Sequence, residues 1–407
     1  MLGYNTMSEV GIWVQVEQSS SVTLSIWEET QPNNKQSVAP SFISDHVPHI
    51  VRFRPGSLKP GTMYHYSLEG VETDKVYAFT TQELWQHRTD PPAFKVAMGS
   101  CAYINEEAYD RPGKPYGGGY GIFETIAEQS PNVMLWLGDN IYLREYDWSS
   151  RSGYVHRYNH TRSLPEMQRL LETAHNYAIW DDHDFGPNDA VGSWIHKDWA
   201  LEYFNQYWMN SPIETDDHDG ITNQFSYNDI DFFLLDNRWN RTSHDNKEQN
   251  PQILGYEQIE WLIEALKFSK SPFKMVAVGG QVLNTAAVYE NHARYEDERA
   301  YLLKRIVEEG IKGVVFVNGD RHHTELSSYE SNGITIYDLT VSPLTSGVHG
   351  STDEPNELRV ENTFVAKRNF AVLEFNGKSF ARELNISIFD EQGSVIWHKS
   401  LPSQTSR

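Results

Sequence analysis

Residues 94–98, 133–137, 177–180 and 314–317 are short, mostly apolar runs rich in β-branched or aromatic side chains, with Lys95 the one charged residue among them. Runs of that length without polar alternation read as strands buried on both faces, the pattern of parallel sheets. Residues 232–235 and 275–278 repeat it. Helical patterns separate them. Gly121 to Ser130 predicts a short helix, Leu170 and Leu171 close an amphipathic one, and 256–268 carries Ile259, Leu262, Ile263 and Leu266 at helical spacing. Residues 295–309 do the same through Leu302, Leu303, Ile306 and Val307. Strand–helix alternation from Phe94 onward predicts a layered α/β domain. Residues 370–375, 384–388 and 395–397 then read as antiparallel strands, the last two joined at Asp390-Glu391-Gln392-Gly393.

The first 88 residues follow a different rule. Ile12, Val14 and Val16 alternate with polar residues, as do Val22, Leu24 and Ile26, and Tyr64, Tyr66 and Leu68. A period of two means half-buried antiparallel strands, and residues 50–53 add another. The turn Leu58-Lys59-Pro60-Gly61-Thr62 lies between two of them, and the segment running on to Tyr66 resembles a fibronectin type III strand corner. A small β-sandwich over 1–88 is expected, a linker from Gln82 to Pro92, and a second domain over 93–407. Two domains also suit a 407-residue chain. No internal repeat or low-complexity segment is visible.

Each of the four runs is followed at once by chemistry: Gly99-Ser100-Cys101, Gly138-Asp139-Asn140-Ile141-Tyr142, Asp181-Asp182-His183-Asp184 and Gly319-Asp320-Arg321-His322-His323. Parallel strands present their C-terminal ends along one sheet edge, where ligands bind. The clusters should therefore meet in one pocket. Carboxylates, imidazoles, a thiol and a phenol collected there need cations among them, which argues for a metallohydrolase.

Gly138 lets the chain turn sharply into Asp139, and Tyr142 at i+3 faces the same centre. Asp139 as a helix cap is the weaker reading. In Asp181 to Asp184 three like charges flank an imidazole, and the apolar run ending at Trp180 speaks against a solvated acidic surface. His183 suits proton transfer or phosphate contact. Asp320 and His322, at i and i+2, share one side of an extended segment, with His323 pointing away. Gln281, after Gly279-Gly280, offers a hard oxygen to a cation such as Ca²⁺, or is simply a turn residue. Arg238, after the 232–235 strand, would bind an oxyanion at the pocket rim, whereas Arg241 reads as a surface salt bridge.

Composition narrows the classes. A net charge of -22 disfavours nonspecific nucleic-acid binding. No run of 18 apolar residues exists, so no transmembrane helix is predicted. Cys101 is the only cysteine, so no intrachain disulfide is possible. A lone strand-end cysteine is commonly a small buried hydrophobe, but beside Asp139 and Tyr142 a metal-bound thiolate gains weight. The start, Met1-Leu2-Gly3-Tyr4, shows no signal peptide.

The ordered motifs Gly-Ser-Cys, Gly-Asp-x-Ile-Tyr, Asp-Asp-His-acid, Leu-Asp-x-Arg, Gly-x-Gln and Gly-Asp-x-His resemble those of the PhoD-like alkaline phosphatases, within the calcineurin-like metallophosphatases. The resemblance spans nearly the whole chain. It implies an α/β/β/α sandwich preceded by a small β-sandwich, and metal-dependent hydrolysis of phosphate monoesters and diesters. It further implies Fe³⁺ with one or two Ca²⁺, with Zn²⁺ or Mn²⁺ as alternatives. Carried over, Cys101 and Tyr142 resemble the iron ligands, and Asp139 the bridging carboxylate. Asp182, Gln281, Asp320 and His322 resemble the remaining ligands, with His183, Asn188 and Arg238 at the phosphate. Ser100-Cys101 stands where the wider superfamily has Asp-x-His, which favours this family, and Asp184 replaces a commoner Glu. The implied partner is a phosphate ester, small or polymeric, and the implied location is periplasmic or secreted. A dedicated phosphodiesterase and a non-catalytic binding module are the rival readings.

Overall fold

The computed structural model describes residues 1–16, 22–44, 47–211, 220–246 and 250–404. Its ten-stranded sheet runs, in spatial order, Val395–Pro402, Ala381–Asp390, Asn369–Lys378, Phe94–Gly99, Val133–Leu137, His175–Ile179, Leu2–Asn5, Val10–Gln15, Ile50–Phe53 and Phe42–Ile43. A six-stranded sheet runs Asn223–Tyr227, Ile230–Leu234, Lys274–Ala277, Val314–Asn318, Ile334–Thr340 and Glu325–Ser331. The apolar runs are parallel neighbours, as their lack of alternation requires: Val133–Leu137 pairs with both Phe94–Gly99 and His175–Ile179.

Each central strand buries both faces. Phe232, Leu234, Met275, Ala277, Val315 and Val317 pack into the core shared with Val96, Met98 and Leu135 of the other sheet. Their neighbours Phe233, Val276 and Phe316 pack instead with Ile259, Leu262, Ile263, Leu302 and Ile306 of the helices Tyr256–Phe268 and Glu296–Glu308. Phe123 and Leu170, of helices Ile122–Glu128 and Pro165–Thr173, join the core on the other side, giving an α/β/β/α sandwich. Helix Arg151–Arg162 lacks a clean apolar stripe in the sequence, whereas Lys197–Tyr207 turns Ala200, Tyr203, Phe204 and Tyr207 inward at helical spacing. Arg157 and Arg162 of the first are buried.

At the N-terminus a four-stranded sheet (Gln36–Val38, Thr23–Glu28, Met63–Glu69, Tyr77–Thr80) covers strands Leu2–Asn5, Val10–Gln15 and Ile50–Phe53. This is the expected small β-sandwich, yet one of its layers is the continuation of the ten-stranded sheet. Leu2–Asn5 pairs in parallel with His175–Ile179, and Asn5 N–H donates to the Tyr177 hydroxyl at 2.9 Å. Gln82, the start of the expected linker, is buried and bonded to the carbonyls of Asn5 and Ser226 and to the Asn228 amide. That stretch is therefore a packed seam at its beginning.

Candidate metal centre

The strand ends converge as the sheet dictates. Cys101, Asp139, Asp320 and His322 all have left-handed backbone, with φ of 63°, 52°, 65° and 54°. Non-glycine residues hold such conformations only where the surroundings over-determine them, and they concentrate at functional sites. Gly138, at φ 88°, lies so close to Asp181 that a Cβ would fall 2.8 Å from the Asp181 Cβ. Glycine there lets two strand ends touch.

Ligand atoms of Cys101, Asp139 and His322 lie within 4.8 Å of one another, and so do those of Asp139, Asp182 and His183. Asp139 belongs to both groups. Its Oδ2 accepts from the Tyr142 hydroxyl at 3.0 Å and the Cys101 thiol at 3.5 Å, and its Oδ1 from the His183 amide at 3.3 Å. The Tyr142 oxygen also sits 3.3 Å from His322 Nε2. Burial, then Asp182 and other nearby carboxylates, push the Asp139 carboxyl well above its ordinary range. Burial and Glu290, Asp181 and Asp182 do the same to Asp320. Burial and Asp139 raise the Cys101 thiol and the Tyr142 phenol. His322 is pushed down to about 3 by burial and by His349 and His183. Buried acids disfavoured as anions beside an imidazole disfavoured as a cation form a donor set that a bound cation would satisfy.

The acidic run splits three ways. Asp182 faces the cluster; against burial, His183, Arg238 and the Asp189 amide hold its carboxyl below the ordinary range. Asp181 turns to Asn237 at 2.7 Å and to Arg238. Asp184 accepts from the backbone N–H groups of Asp181, Asn140 and Ile141, and burial raises it to about 7.

The PhoD-like phosphatase family matches residues 96–385. The chain belongs to this family. Among solved structures it resembles PhoD with a TM-score of 0.76 at 16% identity, covering 99% of this chain and 91% of that one. It also resembles purple acid phosphatase PPD1 of yellow lupin (Lupinus luteus) with a TM-score of 0.74 at 12% identity, covering 98% and 73%. No protein of curated function matches the sequence significantly. A PhoD-like phosphatase is a metal-dependent hydrolase of phosphate esters, and the converging acidic, thiol and imidazole groups suit that chemistry.

The sequence expectations for Arg238 and Arg241 need correction. Arg238 is not at the pocket rim of this PhoD-like site. It is wholly buried, its guanidinium spent on Asp181, Glu290 and the Ala190 carbonyl. Arg241 is likewise buried on Glu290 at 2.7 Å rather than in a surface pair. Gln281 is engaged on all sides: its oxygen accepts from Arg321 at 2.6 Å and Asn284 at 2.7 Å, and its nitrogen donates to Glu325 and Thr340. It belongs to a polar network with these four residues. Asn188 is exposed and lines, with His183 and Tyr142, a cavity of about 960 Å³ beside the cluster. His183 Nδ1 is buried without a hydrogen-bond partner among the described residues, and its ring lies 4.3 Å from that of Tyr142.

Sequence reasoning missed Tyr116 and His349. The Tyr116 hydroxyl lies 3.1 Å from His322 Nδ1 and 3.1 Å from His349 Nε2. Both sit on loops between elements, where no period marks a position. Glu290 was missed for the same reason.

Proposed function

We propose that the protein is a phosphomonoesterase that also accepts phosphodiesters, working at a cluster of unlike cations. The observation that carries this is the sharing of Asp139 between two groups of ligand atoms. Cys101, Asp139, Tyr142, Asp320 and His322 would hold one cation, Fe³⁺ because several anionic donors, phenolate, thiolate and carboxylate, stabilise a trivalent ion. Asp139 and Asp182 would hold Ca²⁺. Bound there, the cations supply charge that polarises the phosphoryl oxygens. His183, half-buried at the cavity with an unpartnered ring nitrogen, contacts the phosphoryl group and passes a proton to the leaving oxygen. Asn188 donates from the cavity wall. Arg238 acts one step back, holding Asp181 and Glu290 so that Asp182 stays ionised.

A dedicated phosphodiesterase is the second reading, favoured by a cavity far larger than a phosphate needs. Parallel assays on a monoester and its methyl diester, with metal content measured on the same sample, decide between them. Absence of turnover for both, with metals supplied, ends the hydrolase reading. No helix among the described residues is long and apolar enough to cross a membrane. Calcium use suits a site outside the cytoplasm, which fractionation of the native cells tests.

A further inference from the structure

The cavity beside the cluster is walled by rings. Tyr142 and His183 belong to both, and Tyr103, Tyr109, Tyr116 and Trp148 complete the wall. Its volume, about 960 Å³, is at the upper end for a small-molecule site. Two charged pairs line it, Arg144 with Asp110 at 2.8 Å and the exposed Arg111 with Glu145 at 3.7 Å, together with Lys114 and Glu107. The remaining Arg144 donors go to the carbonyls of Tyr142 and Ile104. Tyr103 donates to Asp110, and the Asn105 amide to the Gly117 carbonyl.

Two rings of this wall, Trp148 and Tyr109, present apolar surface to the cavity. Trp148 Nε1 is fixed on the Leu143 carbonyl at 3.2 Å, and the indole, packed in part on the core, lines the cavity. Tyr109 is backed on one side by Tyr146, with ring centroids 4.0 Å apart, and lines the cavity. A planar group recovers quadrupole and dispersion contacts on such faces that a saturated ring of equal size does not.

We infer that this cavity receives the leaving group of the phosphate ester and selects one bearing a planar ring, aryl or nucleoside, with Trp148 and Tyr109 setting the preference. The inference rests on the phosphatase reading of the metal centre. In the reaction the ester P–O bond breaks, a water oxygen forms the new P–O bond, and a water proton leaves on the alcohol.

Benzyl phosphate and cyclohexylmethyl phosphate share size, charge and leaving-group class and differ in planarity. On the metal-loaded enzyme, kcat/KM should favour benzyl roughly tenfold, the scale of one stacked ring. Trp148→Leu and, separately, Tyr109→Leu should bring the ratio to within about twofold of unity, the residue of lost stacking. Adenosine 5′-phosphate against ribose 5-phosphate separates the sources: a preference there as large as for benzyl identifies a nucleoside, a smaller one a simple aryl group. A wild-type benzyl ratio near one, or a ratio that neither variant changes, overturns the inference. Calorimetric binding of benzylphosphonate and cyclohexylmethylphosphonate is independent of turnover. Tighter benzyl binding by a protein that hydrolyses no ester would keep ring recognition and discard the hydrolase; equal binding discards ring recognition.

Discussion

The Tyr142 hydroxyl donates to Asp139 Oδ2 at 3.0 Å, and the Cys101 thiol reaches the same oxygen at 3.5 Å. A cation replacing those two protons would be bound by phenolate and thiolate together. If it is Fe³⁺, charge transfer from these ligands gives a visible band that Zn²⁺, with its filled d shell, cannot give. Concentrated protein should be coloured. Tyr142→Phe should shift or bleach the band and lower kcat/KM about 10–100-fold. A strong Ca²⁺ chelator should stop turnover and leave most of the colour. A colourless, fully active zinc enzyme would defeat the iron assignment.

Asp139 sits among Asp182, Asp181, Asp184 and Asp320 with burial already against its ionised form. Asp139→Asn should therefore have opposite effects with and without metal. In chelator, the variant should be more stable to urea by about 1–3 kcal/mol, since a repelled buried carboxyl becomes an amide. With metal supplied, wild type should overtake it as binding stabilises the native state. Turnover of the variant should fall roughly a thousandfold, several kcal/mol of lost charge stabilisation. Equal stability in both conditions would show that Asp139 holds no cation.

How far the sequence reaches depends on how local the cause is. The strands 94–98 and 133–137 were legible because burial on both faces leaves a nearly continuous apolar run, and their C-terminal residues met because parallel strands share an edge. The destination of a long side chain is not local. Arg238 follows a strand as a rim arginine would, but Glu290, on a loop 52 residues away, draws it inward. Gln281 is taken up by Arg321, also set by tertiary packing. The helix Arg151–Arg162 was unreadable because it buries Arg157 on Asp147 and Glu106 beside Tyr154, Val155 and Tyr158, so its inward face is mixed.

Arg238 neutralises Asp181 and Glu290 inside the protein. Removing one partner of such a group leaves uncompensated buried charge. Arg238→Met should cost about 3–5 kcal/mol in urea denaturation. At a temperature where the variant stays folded, KM should change less than kcat, because the guanidinium meets Asp181 rather than phosphate. A large rise in KM with unchanged stability would restore Arg238 to the substrate.

Gln281 makes four side-chain hydrogen bonds, to Arg321, Asn284, Glu325 and Thr340. Gln281→Ala leaves these buried partners short and should cost about 1–3 kcal/mol. Metal stoichiometry by elemental analysis should not change. Loss of one calcium per chain would instead make Gln281 a ligand.

His175 joins the N-terminal strand to the parallel sheet. Its Nδ1 donates to the Gly3 carbonyl at 2.9 Å and its Nε2 accepts from the Asn5 amide at 2.9 Å, so the ring is held neutral. Burial lowers it from 6.5 to about 4. Below 6.5 the unfolded chain takes a proton that the folded chain refuses, so stability present above that pH falls as pH drops toward 4 and levels off beneath it. The slope is at most about 1.4 kcal/mol per pH unit and the total about 3 kcal/mol. His292, lowered to about 3, adds a similar slope, so the informative quantity is a difference. Urea midpoints of wild type and His175→Gln, measured on chelator-treated protein from pH 7 to 4, should converge as pH falls. Hydrogen exchange in strand Leu2–Asn5 should accelerate over the same window in wild type only. Parallel midpoints across the range would mean that the seam does not depend on the neutral ring.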